Sequence, residues 1–84
     1  YNYPLDYTWS TEDIVDVVAL YNAVEQAYEE GIDKKDFLDA YRKFKNVVGT
    51  KSEEKQLDKA FEEVSGYSIY KVFKASQEKD WIKM

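Results

Sequence analysis

With 84 residues, 44% of them hydrophobic and 17% aromatic, the chain has the size of one domain and too many core-forming side chains for a disordered segment. It holds neither cysteine nor histidine, which excludes disulfide staples, zinc sites built on thiolate or imidazole, and the usual catalytic triads. The net charge of −5 hides an asymmetry: residues 1–33 carry eight acidic and no basic side chains, whereas residues 34–84 carry nine acidic and twelve basic ones.

The segment Tyr1 to Trp9 has four aromatics, and Pro4 removes a backbone donor and fixes its own φ. An extended aromatic arm over 1–9 follows, and it is expected to pack onto the helices because its rings are costly to leave in water. Ser10 then offers an N-cap, with Trp9 and Ile14 spaced as a hydrophobic staple and Glu12 and Asp13 at the positive end of the helix dipole. Gly31 offers a left-handed stop. The first helix is therefore placed at 11–30.

On a helical wheel, Ile14, Val17, Val18, Leu20, Tyr21, Val24, Ala27 and Tyr28 span about half the circumference, which puts this helix at the centre of the fold. Ile32-Asp33 repeats the staple and cap, and Phe37, Tyr41, Phe44 and Val48 share one face of a second helix at 34–48, ended by Gly49. Thr50 or Ser52 caps a third helix at 51–64, with Leu57, Ala60, Phe61 and Val64 on one narrow face and Gly66 as its stop. A fourth at 68–78 groups Ile69, Val72 and Phe73, although its β-branched and aromatic content also allows a strand, and the tail from Asp80 either docks through Trp81 or extends that helix. The expected architecture is all-α: one domain over 1–84, a compact array of four helices behind the arm.

Only carboxylate chemistry is left. Glu12, Asp13 and Asp16 sit close enough on the first helix to hold a hard cation, but dipole stabilisation accounts for them more simply. Asp33, Asp36 and Asp39 lack the glycine and distal glutamate of a calcium loop. Glu25 falls inside the apolar arc, where a carboxylate needs a partner such as a tyrosine hydroxyl or a basic group of the second helix. Tyr41 to Lys45 interleaves aromatic and basic residues, yet at helical spacing Tyr41 and Phe44 turn to the core. The third helix carries the acidic row Glu54, Asp58 and Glu62, a poor DNA-recognition surface.

The opening run from Tyr1 to Val18 resembles the start of a family of small Firmicute proteins, uncharacterised protein family 0223. The likeness continues through Phe37 to Gly49 and Ser65-Gly66-Tyr67-Ser68. The resemblance implies a compact helical cytoplasmic protein of about this length and brings no activity, cofactor or site residues.

The expected function is thus a non-enzymatic protein-interaction or regulatory domain without cofactor or metal, a monomer or weak dimer. The candidate contact surface is the acidic outer face of the first helix, bearing Glu12, Asp16, Gln26 and Glu30, and the partner is a basic protein. One alternative is a nucleic-acid-associated regulator using Lys34, Lys35, Arg42 and Lys45; another is a ligand carrier or enzyme around Glu25. No apolar run reaches the length of a membrane span or the pattern of a signal peptide, and a cytoplasmic location is expected.

Overall fold

The computed structural model describes residues 2–84; Tyr1, the first residue of the expected arm, lies outside them. Each helix opens on a capping side chain that takes up an otherwise unpaired amide. Ser10 Oγ accepts from Asp13 N at 3.1 Å to open α1 (Thr11–Glu29). After the two-residue strand β1 (Ile32–Asp33), Asp33 Oδ1 accepts from Lys35 N at 2.9 Å to open α2 (Lys34–Val47). Thr50 and not Ser52 caps α3 (Lys51–Ser65), accepting from Glu53 N at 3.2 Å. Ser68 does the same for α4 (Ile69–Ser76), with Lys71 N at 3.3 Å.

The helix ends differ from the expected ones in instructive ways. Gly31 and Gly66 stop α1 and α3 with φ of 105° and 79°, conformations open to glycine. Gly49 plays no such part: α2 ends earlier, because Val48 turns extended at φ −103° and ψ 90° and sinks its side chain into the core. The last helix stops at Ser76, where Gln77 N bonds Lys74 O at 3.1 Å and Lys79 N bonds Ala75 O at 3.0 Å, turning the chain back. The tail does not extend α4, and it docks chiefly through Ile82, with Trp81 only partly packed. It forms β2 (Trp81–Ile82), antiparallel to β1, with Ile82 opposite Ile32 and Trp81 opposite Asp33. Ile82 is fully buried, whereas Trp81 is 56% exposed and lies over Gly31. Met84 N closes the ribbon onto the end of α1 by donating to Ala27 O at 2.9 Å.

The helix α1 is the hub. Val17, Leu20, Tyr21, Ala23, Val24 and Ala27 are buried along it, and it packs most extensively against α2, which contributes Phe37 and Phe44. Phe61 from α3 stacks on Tyr21 with centroids 4.5 Å apart, and Ile69 and Val72 from α4 complete the core. Of the expected α3 stripe only Phe61 is fully buried, and Val64 is exposed. In the arm, Tyr3, Leu5 and Trp9 pack against the core while Tyr7 projects into solvent, 97% exposed. Hydrogen bonds fix the docking: Tyr21 Oη donates to Pro4 O at 2.7 Å, and the single O–H of Tyr3 is shared between Glu25 Oε1 at 2.8 Å and Asn22 Oδ1 at 2.9 Å.

Candidate functional site

On α1, Glu12 and Glu30 are exposed and Asp16 is half-buried. Glu12 and Asp16 are one turn apart, but Glu30 lies at the far end of the helix, about 27 Å away at 1.5 Å per residue. That separation exceeds the ~8 Å screening length of physiological salt, so the two ends act independently. Between Asp16 and the Glu29–Glu30 pair, the exposed positions Asn22 and Gln26 are neutral. Among the described residues the ion pairs are Arg42–Asp39 and Lys45–Glu54, and no acid of α1 takes part in either. Nor do three acidic side chains converge among the described residues in an arrangement that holds a metal ion.

Glu25 is half-buried and accepts from the Tyr3 hydroxyl, the kind of partner its position calls for. In turn, burial, followed by this bond and the Glu25 charge, pushes the Tyr3 phenol up to about 12. Glu25 lines neither of the two surface cavities described below. On the basic side of α2, Lys34 is half-buried and Lys35 exposed, while Arg42 pairs with Asp39 at 3.1 Å and Lys45 with Glu54 at 2.6 Å.

The larger cavity, about 500 Å³, is a groove walled by α2, α3 and α4. Helical spacing builds it. Lys51, Glu54, Lys55 and Asp58 stand at i, i+3, i+4 and i+7 and form one row on α3, while Tyr41 and Lys45 stand one turn apart on α2. From α4 come Ile69, Tyr70 and Phe73, and the Tyr41 ring stacks on Phe73 at 4.6 Å.

The carboxylates of this groove are engaged with the fold. Glu54 accepts from Lys45 Nζ at 2.6 Å and from the Tyr41 hydroxyl. Burial alone would raise the Glu54 carboxyl, but the Lys45 and Tyr41 bonds and the Lys45 and Lys51 charges outweigh it and hold its pKa below the ordinary value. Burial and the bond to Glu54 drive the Tyr41 phenol well above its own. Asp58 accepts from Ile69 N at 2.8 Å, joining α3 to the start of α4, and its burial raises its pKa despite that bond. The second cavity, about 300 Å³, lies between the arm and α3, with Leu5, Trp9 and Leu57 among its walls.

The profile of the Uncharacterised protein family (UPF0223) matches residues 1–84. The chain belongs to this family. A UPF0223 protein of Bacillus cytotoxicus is 52% identical over 87 residues, covering 100% of this chain and 98% of the relative. One of Oceanobacillus iheyensis is 51% identical over 78 residues, with 93% and 89% covered, and one of Streptococcus pneumoniae is 52% identical over 79 residues, with 94% and 86% covered.

In this UPF0223 chain the sequence reading missed the groove. Each wall was legible as a helix face, and the alternation of Lys51, Glu54, Lys55 and Asp58 on one row was the available signal, since such a row pairs with its surroundings as readily as with water. Reading the acids alone, as Glu54, Asp58 and Glu62, hid the lysines between them. The exposed Tyr70 gave no periodic signal, because Ile69, Val72 and Phe73 define the α4 stripe around it.

Proposed function

We propose that this UPF0223 chain is a non-enzymatic protein-interaction domain of the cytoplasm. The observation that carries the reading is the groove between α2, α3 and α4, an aromatic surface left open to solvent at Tyr70, which is 61% exposed. Aromatic side chains with a polar tip are favoured where one protein meets another. The absence of histidine and cysteine, and the engagement of Glu25, Glu54 and Asp58 in bonds that hold the fold, argue against acid–base or nucleophilic work.

A second contact surface is the N-terminal end of α1, where Glu12 and Asp16 flank the exposed Val15 without an ion pair among the described residues. It suits a basic partner, with Glu30 as a separate acidic point. Capture from a bacterial lysate tests both surfaces, comparing wild type with Tyr70→Glu and with Glu12→Lys/Asp16→Lys/Glu30→Lys at one salt concentration. Loss of a specific partner from either variant supports the reading. If both variants fold and recover the same proteins as wild type, the reading fails. A mobility shift with nucleic acid that weakens steeply with salt would instead favour the regulator using the basic side of α2.

A further inference from the structure

We infer that the α2–α3–α4 groove receives an acidic amphipathic helix of a partner protein, its apolar side chains on Tyr41, Tyr70 and Phe73 and its carboxylates against Lys51 and Lys55. This rests on the interaction reading and adds the chemistry of the occupant.

Charge gives the sign. The chain as a whole is acidic, at −5, yet the groove is lined by three lysines and two carboxylates. Both carboxylates are turned inward: Glu54 holds Lys45 and Tyr41, and Asp58 holds the first amide of α4. The groups left facing an occupant are Lys51 and Lys55, both exposed and outside the ion pairs found among the described residues. Lys74, one turn beyond Tyr70 on α4 and exposed, continues the basic edge. A basic or neutral occupant would leave these charges unanswered.

The walls give the conformation. All three are helices, whose backbone donors and acceptors bond within their own segments. The groove therefore offers no sheet edge with which an extended peptide could pair, and such a peptide would press its own amides and carbonyls against aromatic rings. A helix satisfies its backbone internally and presents only side chains, which fits an apolar floor with a charged rim. A small ligand is served poorly for the same reason: the polar groups near the floor, the Tyr41 hydroxyl and the Glu54 and Asp58 carboxylates, are already bonded, so few remain to orient it.

The test is a titration of the isotopically labelled full chain with three synthetic peptides, followed by amide NMR shifts. The first carries leucine at i, i+4 and i+7 between glutamates; the second replaces every glutamate by lysine; the third is the first with proline in the middle of the leucine stripe. Shifts from the first peptide should map to the groove faces of α3 and α4, and added salt should weaken its binding. Lys51→Glu/Lys55→Glu, at exposed positions, should weaken it about tenfold, and Tyr70→Ser at least as much, with unchanged circular dichroism. Equal or tighter binding of the lysine peptide in the groove overturns the acidic occupant but leaves the interaction reading standing. Equal binding of the proline peptide overturns the helical one. No binding of the first peptide by about 1 mM, or shifts elsewhere, removes the inference. Self-association that Tyr70→Ser abolishes would mean the occupant is a second copy, and also overturns it.

Discussion

Replacing Gly31 by alanine probes the junction where the two ends of the chain meet. Two costs arise together. The φ of 105° is a conformation that an L side chain enters at about 1–2 kcal/mol. A Cβ there would also stand 2.6–2.7 Å from Trp81 indole atoms, too close for the ring to stay. Trp81 is half-exposed and can swing outward, so the second cost is the loss of its packed face, about 1 kcal/mol. Gly31→Ala should therefore destabilise by about 2–3 kcal/mol, and at roughly 4–8 °C per kcal/mol in a domain of this size lower Tm by about 10–20 °C. Trp81→Ala alone should cost about 1 kcal/mol. In the double variant the ring is already gone, so its total should fall short of the sum by about 1 kcal/mol. Urea unfolding followed by circular dichroism at 222 nm, which does not depend on Trp81 fluorescence, measures all three. Loss of less than about 0.5 kcal/mol in Gly31→Ala would refute the strain argument, and strict additivity would refute the collision with the indole.

Other perturbations address the groove and the arm. The depressed pKa of Glu54 contributes stability that is present above the ordinary glutamate value and lost as pH falls through the folded-state value. Glu54→Gln should therefore lower Tm at neutral pH, and its deficit relative to wild type should shrink in thermal scans as pH falls through and below the ordinary glutamate value. For Asp58, whose burial raises its pKa, Asp58→Asn keeps an acceptor for the Ile69 amide without a charge to bury and should match or exceed wild-type stability at pH 7, whereas Asp58→Ala should cost about 1–2 kcal/mol in urea unfolding. Deleting residues 2–7 removes Leu5 and the shared Tyr3 hydrogen bond and should lower Tm by more than about 5 °C; no change would mean that the arm contributes nothing to the fold.

How much of this was legible in the residues depends on the range of the interaction. The caps at Ser10, Asp33 and Thr50 and the left-handed stops at Gly31 and Gly66 bond within a few positions of their own place in the chain. The sequence alone therefore determined four helices and the centrality of α1, whose buried residues run along one side at a 3.6-residue period. It also determined that Glu25 needs a partner, because a carboxylate in an apolar arc must be satisfied wherever the partner comes from.

Tertiary structure decided the rest. That the partner is Tyr3, that Ile82 is buried while Trp81 is half-exposed, and that the tail is a strand all depend on pairing between residues far apart in the chain. In β2, adjacent side chains point to opposite faces, so the register against Ile32 and Asp33 fixes which of Trp81 and Ile82 enters the core, and composition ranks both as candidates. The groove is the clearest case: periodicity assigns each of its walls to a helix face, but the space between three helices is a property of how they are placed. Packing of Phe61 on Tyr21 and the bond from Ile69 to Asp58 position α3 and α4, and those contacts decide that Tyr41, Tyr70 and Phe73 look onto a gap instead of a filled interior.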